Sequence, residues 1–488
     1  MDRNRVRAAA LAAALSLAAP SLAAHAAGEG AAAPPRAATD RPRHPKDLAF
    51  PPQPYEFRRT ERVTLSNGMV VHLLEDHTLP LVEAAAYFRG GSVFDPAGKE
   101  GLASISCSMV RQGGTESLDP EALDEELDLL AGSVSVGGGS EMCSAGFSFL
   151  SRDLGRGLTI FADVLRRPRF DANRFQRIKQ VVGQGIQRQR QNPGGVLGRT
   201  FPRIAYPGHP YGRVSTPASI QSITEEDVRG YHARWFHPEG FILSVAGDFE
   251  RDKMVAALES AFEGWARAAE ALPRTPPEVA REYRGGHYVV PMPKVTQTNI
   301  RMGHWGPKET SEDRVVCDVM NLILGGGSFW SRMTRIVRTK EGLAYDVGSQ
   351  FSRAGQGGLF LASTQTKAST TYRAIGLMTD LIHEIRETPV TEDELGQAKD
   401  FLVNRFIHTF ENPSSLASQY ASLEFRGYPP DWFERYMALV KGVTVKDVQR
   451  VAKEYLRPDN LEIVLVGDPT AFDAAPPGLA PMKVLGIE

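Results

Sequence analysis

Apolar residues recur at helical spacing just after Gly101: Leu102, Ile105 and Met109 share one face and predict a helix that stops at Gly113-Gly114. Ser104, Cys107, Ser108 and Arg111 fall on its other face. Upstream the pattern alternates instead. Val63-Thr64-Leu65 and residues 69–74 flank Ser66-Asn67-Gly68, a hairpin signal with Asn-Gly at the turn. A further strand is expected over 81–89, closed by Gly90-Gly91. Downstream, Leu123, Leu127 and Leu130 form the stripe of a second helix, with Asp119 as its cap, Pro120 in its first turn and Gly132 as its end. Alternation returns over 133–136 and 142–150, around a turn at Gly137-Gly138-Gly139. A helix carrying Ile160, Val164 and Leu165 follows, then a long polar helix over 173–191, broken by Asn192-Pro193. After a turn-rich loop over 205–212, Thr224 and Asp227 open another helix, and a strand over 241–246 ends at Gly247-Asp248.

The pattern then repeats. Thr224, Asp227, Val228, Pro238, Gly247 and Asp248 recur as Thr444, Asp447, Val448, Pro458, Gly467 and Asp468, always 220 residues on. Asn192-Pro193 recurs as Asn412-Pro413 at the same offset. A unit this long is a whole domain rather than a solenoid repeat. The second copy opens with strands over 287–290 and 296–303. A helix from Glu312 buries Val315, Val319 and Leu322 and meets Gly325-Gly326-Gly327, a run that either ends the helix or lets a peptide approach the backbone. A shorter helix carries Trp330, Met333 and Val337 and ends at Gly342, and Leu343, Tyr345 and Val347 begin a strand. Strands alternating with helices, hairpins included, predict an α+β fold of two homologous domains, 57–265 and 285–475, joined by an Ala-, Glu- and Pro-rich linker over 266–284.

The ends and the charge narrow the function. Arg3, Arg5 and Arg7, a short apolar run over 8–19 and Ala24-His25-Ala26 read as a cleavable signal peptide over 1–26, followed by a flexible arm over 27–56. The destination is the periplasm or the exterior. No later stretch is long and apolar enough to span a membrane. Formal net charge is −2, so there is no basic excess for nucleic acid. Cys107, Cys143 and Cys317 form no disulfide framework; Cys143 and Cys317 read as buried thiols, and oxidation of one pair stays open.

Several motifs together resemble the pitrilysin/insulinase family of inverted-motif zinc peptidases, which includes the mitochondrial processing peptidase. They are the Asn-Gly hairpin, the Gly-Leu-Ala helix closed by Gly113-Gly114-Thr115, the His209-Pro210-Tyr211-Gly212 loop and the two strand endings at Gly-Asp. The most specific is the segment from Ser331-Arg332-Met333 through Arg338 to Gly342-Leu343-Ala344-Tyr345. The resemblance implies a processing-peptidase-like fold, the type shared with the metalloenzyme LuxS, with a mainly antiparallel sheet covered by helices in each domain. It also implies a zinc site of His, Glu and His on the first helix, plus a Glu on a later one. Here those positions hold Ser104, Cys107 and Ser108, and Gln184 or Gly185. A serine hydroxyl is a poor zinc ligand and a lone thiol cannot hold the metal, so no zinc is expected in this chain. His232 and His237, five apart, read as surface or core side chains.

The family's Arg and Tyr that bind the scissile carbonyl correspond to Arg338 and Tyr345. Attack on that carbonyl builds negative charge, which a guanidinium and a phenol stabilise more than they stabilise the ground state. Some members are heterodimers in which one chain keeps the zinc and the other the Arg/Tyr pair. The resemblance therefore implies a periplasmic subunit, inactive alone, whose partner is a homologous chain with an intact H-x-x-E-H and bound zinc. Extended peptides would be the substrates, held by strand addition. The competing expectations are a non-catalytic scaffold or peptide-binding protein of the same fold and, third, a stand-alone zinc peptidase.

Overall fold

The Asn-Gly hairpin forms where the alternation places it. In the computed structural model, Glu61–Thr64 (β1) and Val70–Glu75 (β2) pair antiparallel. Gly68 takes φ +94° in the turn, and Met69 N donates to Asn67 Oδ1 at 3.0 Å. The structure describes residues 58–487 apart from 274, 281, 409 and 411. The expected leader and arm, 1–26 and 27–56, lie outside the described residues.

The first half continues with β3 (Leu81–Arg89), α1 (Leu102–Gln112), α2 (Pro120–Leu129), β4 (Ser133–Gly138), β5 (Met142–Leu150), α3 (Leu154–Arg166), α4 (Ala172–Gln191), α5 (Pro193–Ala205), α6 (Pro217–Ser222), α7 (Glu225–Trp235), β6 (Ile242–Gly247) and α8 (Arg251–Ala261). The second half runs β7 (Gly286–Pro291), β8 (Gln297–Trp305), α9 (Arg314–Asn321), β9 (Ala344–Phe351), β10 (Leu359–Lys367), α10 (Thr371–Glu387), α11 (Glu392–His408), α12 (Pro413–Phe425), α13 (Trp432–Gly442), α14 (Val445–Tyr455), β11 (Glu462–Gly467) and β12 (Lys483–Val484).

Each half folds one six-stranded sheet, in the order β1-β2-β6-β3-β5-β4 and β12-β7-β11-β8-β10-β9. Neighbouring strands are antiparallel except β2 with β6 and β7 with β11 and β12, so both sheets are mixed. The returning strand of each half crosses over through helices and so can lie parallel to its neighbour. The fold is α+β, with helices covering each sheet.

The repeat has a physical meaning. Thr224 with Asp227 and Thr444 with Asp447 make reciprocal capping boxes at the starts of α7 and α14. Asn192 and Asn412 cap α5 and α12, each with Pro at the first helical position. Those two helices are exchanged between the halves. α5 lies on β8 and β11, where Val196, Leu197 and Phe201 join Val290, Trp305, Leu359 and Val464 in one buried cluster. α12 lies on β2, β3 and β6. Each fully buried large apolar side chain contributes roughly 1.5–3 kcal/mol, so each half completes the other's core.

Polar contacts fix the register of α12. Glu424 Oε2 bonds His72 Nε2 at 2.8 Å and its carboxylate receives a fork from Arg62; Ser414 Oγ donates to Glu83 Oε2 at 2.7 Å. His72 and then Arg62 hold the Glu424 carboxyl down at about 2, from 4.5. Because the folded value is depressed, its stabilisation is present above about pH 4.5 and is lost as pH falls toward 2. In acid-denaturation scans over that window, Glu424→Gln is expected to flatten the fall in melting temperature seen for the parent chain.

One element end differs from expectation and another meets it. α2 turns off at Ala131 (φ +46°), one residue before Gly132. Gly132 is needed for packing instead: a Cβ there would lie 2.3 Å from the Phe149 ring. The run Gly325-Gly326-Gly327 closes a π-helical turn over Leu322–Gly326 that continues α9. Gly325 lets that turn approach β9, since a Cβ would sit 2.6 Å from Ser349 N.

Candidate functional site

α1 begins at Gly101, whose φ of +106° is open mainly to glycine. The helix has no cap of its own. Asp95, six residues earlier and buried, accepts from Gly101 N and Ala103 N, both at 2.9 Å. Burial lifts the Asp95 carboxyl to about 6 against the pull of those bonds. The folded chain therefore holds this proton more tightly than the unfolded one. The associated stability is full below pH 3.8 and is lost as pH rises toward 6. Carbon-13 NMR of the Asp95 carboxyl should show a midpoint near 6, and Asp95→Asn should remove that slope from the stability profile.

Of the zinc positions on α1, Ser104 is exposed and Ser108 half-buried, its Oγ donating to Ser104 O at 2.9 Å. Cys107 does not share their face. It is 0% exposed, inside the first core, with Sγ 3.8 Å from the Tyr231 hydroxyl. Cys143 Sγ lies 3.2 Å from the same hydroxyl, which donates to Gly90 O at 2.5 Å. The Cys143 thiol and burial push the Cys107 thiol well above its ordinary range, so it stays neutral. The expected polar face of α1 is narrower than the spacing suggests, because α7 packs where Cys107 points. All three cysteines are free and buried. Gln184 is exposed on α4, which packs against α1. Among the described residues, no three His, Cys, Asp or Glu side chains converge as a metal site. His232 bonds Leu165 O and burial lowers it to about 4; His237 bonds Ala233 O.

The two outermost strands beside these helices end differently. In β9 the outward carbonyls of Val347, Ser349 and Phe351 are taken by Thr334 Oγ1 (3.3 Å), Asn321 Nδ2 (3.0 Å) and Arg314 Nη2 (2.9 Å). The outward carbonyls of that edge are thus occupied, which blocks a further strand there. In β4 the register turns Val134, Val136 and Gly138 outward. Arg111 Nε takes Val134 O at 2.9 Å, but among the described residues nothing bonds the outward groups of Val136 and Gly138. A Cβ on Gly138 would meet Ala103 O at 2.9 Å and Ser104 Cα at 3.1 Å, so the open edge lies directly against α1 at Ser104.

Arg338 sits in a second π-helical turn, Thr334–Lys340, and Tyr345 is the second residue of β9, after Gly342 (φ +65°). π-turns are rare and cluster at functional sites. The Arg338 guanidinium lies 5.0 Å from the Tyr345 ring centroid and 4.7 Å from that of Phe329. Tyr345 is 86% and Phe329 69% exposed. Among the described residues the guanidinium has no hydrogen bond and no carboxylate partner, which leaves its five donors available. Thus Arg338 and Tyr345 come together, as do α1 and α4, while no hydrogen bond or ring contact joins the pair to Ser104, Cys107, Ser108 or Gln184. Sequence reasoning missed Phe329, whose signal was an aromatic two residues after the Gly-rich run, and missed Asp95 and the open edge of β4, which had none.

Comparison with known proteins decides the lineage. The insulinase (peptidase family M16) model matches residues 70–216, and the peptidase M16 inactive domain model matches residues 222–402. This chain belongs to peptidase family M16. The first M16 segment contains Ser104, Cys107, Ser108 and Gln184; the second contains Arg338 and Tyr345. A Helicobacter pylori relative, named non-peptidase homolog YmxG, is 23% identical over 412 residues, covering 81% of this chain and 90% of that one. The crystal structure of a peptidase M16 inactive domain from Pseudomonas fluorescens superposes with a TM-score of 0.78 at 25% identity, over 86% of this chain and 100% of that one. The periplasmic protease PqqL from Escherichia coli shares the fold, with a TM-score of 0.73 at 16% identity, over 93% of this chain and 49% of PqqL. The pattern H-x-x-E-H occurs nowhere in the sequence of this M16 member. No helix among its described residues is long and apolar enough to cross a membrane.

Proposed function

We propose that this M16 chain is the zinc-less subunit of a periplasmic two-chain metallopeptidase. It holds an extended peptide along the open edge of β4 and supplies Arg338 and Tyr345 to a site whose zinc and water-activating Glu belong to a homologous partner with an intact H-x-x-E-H. The observation that carries this reading is the state of Arg338: a guanidinium between two exposed rings, with no carboxylate to neutralise it. A surface arginine serving stability alone would be expected to pair with an acid, and Arg338, although in the last turn of its own π-helical segment, pairs with none among the described residues. The open edge of β4 beside α1, against the sealed edge of β9, supports strand addition on the first sheet. The leader pattern and the periplasmic protease PqqL support the compartment.

The second reading is a non-catalytic scaffold or peptide-binding protein. It is favoured by the exposure of Tyr345 on the chain's own surface and by the name of the YmxG relative. Reconstitution separates the two. The chain is mixed with a homologous M16 chain carrying H-x-x-E-H and zinc, and a quenched extended peptide is supplied. Turnover that needs both chains is the expected result; turnover by the partner alone at the same rate, or none, favours the scaffold.

A further inference from the structure

Past Gly138 the edge of β4 runs into a cavity of about 620 Å³, whose wall includes residues 137–142 of the β4–β5 turn. Glu309, Arg353 and Arg426 line this cavity and also a second one of about 630 Å³. The second lies among α9, α11, α12 and α13 and has Tyr428, Trp432 and Tyr436 on its wall. Among the described residues of its wall, Arg314, Arg353 and Arg426 stand with Glu309 and Asp318.

The arginines divide by role. Arg314 is buried and spends its two terminal nitrogens on Ser352 O and Phe351 O, sealing β9. Arg353 gives Nη2 to Asp318 Oδ2 at 3.1 Å, and Arg426 gives Nη1 to Glu309 Oε1 at 2.7 Å. Each of these two keeps further donors on its fork, and their side chains stay 50% and 30% exposed. Both stand in the wall shared by the two cavities. Partly apolar walls strengthen a charge pair formed there, and a planar fork suits a carboxylate.

We propose that the shared wall of these cavities binds the negatively charged end of a peptide lying on β4, with Arg353 and Arg426 gripping either a C-terminal carboxylate or an Asp or Glu side chain. This rests on the reading of β4 as the peptide-binding edge. Gly138 lies against α1 at Ser104, so the acidic group sits beyond the Gly138 end of the peptide segment held on β4.

The test uses the full chain alone and fluorescence anisotropy in low salt. The probes are a fluorescein-labelled octapeptide of alternating Val and Ser with a free C-terminal carboxylate, its C-terminal amide, and the amide with one Asp near its end. The acid, the Asp peptide or both should bind at least about 10-fold more tightly than the neutral amide; which of them does so identifies the source of the charge. Arg353→Gln and Arg426→Gln should each bring that affinity down to the level of the amide, and Arg353→Lys should restore part of it. Equal binding of all three probes to the parent chain overturns the inference and leaves strand addition standing. Failure of every probe to bind overturns both.

Discussion

Arg338→Ala should lower kcat of the reconstituted two-chain peptidase by about 100-fold, with KM changed little and the melting temperature of this chain unchanged. The size follows from the loss of one preorganised oxyanion donor, which costs roughly 3 kcal/mol of barrier. The effect falls on kcat because the guanidinium meets full negative charge only after attack on the carbonyl. Stability is spared because the Arg338 side chain has no hydrogen bond or ion pair among the described residues and rests on two exposed rings. Arg338→Lys should recover a minor part, since an ammonium keeps the charge but not the fork. Tyr345→Phe should lower kcat in the same direction by removing only the phenol donor. If turnover survives Arg338→Ala at the parental rate, the shared site is wrong and the scaffold reading takes its place.

Cys107→Glu, which restores the family's water-activating residue, should destabilise the chain by about 4 kcal/mol rather than revive it. The Cys107 side chain is fully buried beside the Tyr231 hydroxyl, and a carboxyl there loses its hydration. Its pKa would be driven up, so the penalty should grow as pH rises above the ordinary Glu value of about 4.3. Chemical denaturation of the variant at pH 5 and pH 8 checks this: stability should be lower at pH 8. Ser104→His and Ser108→His, on the open side of α1, should cost far less, within roughly 1 kcal/mol each. A stable Cys107→Glu chain that takes up stoichiometric zinc with both histidines in place would mean that α1 turns readily in its seat.

The elements were legible wherever a local signal fixed them. β3 runs over Leu81–Arg89 and α4 ends at Gln191 as the alternation and the Asn-Pro break require. The 220-residue repeat marked the caps of α5, α7, α12 and α14. The helical spacing of α1 placed Leu102, Ile105 and Met109 inward correctly but left Cys107 outside. A single stripe assumes one packed face, and α1 is packed by α3, α4, α7 and β4 together. Asp95 was invisible as a cap because it sits six residues before the helix start, beyond the reach of any capping pattern.

What the amino-acid order determined by itself is the chemistry present and absent: a doubled domain, turns and caps, no H-x-x-E-H pattern, and an Arg and a Tyr seven apart. These are properties of residue type and short spacing, which a chain carries before it folds. Tertiary structure alone decided that α5 and α12 change halves, that β9 is sealed while β4 stays open, and that Arg353 and Arg426 meet in one wall. Each of those depends on groups brought together from distant parts of the chain, and burial and hydrogen-bond geometry between such groups leave no periodic trace in one dimension.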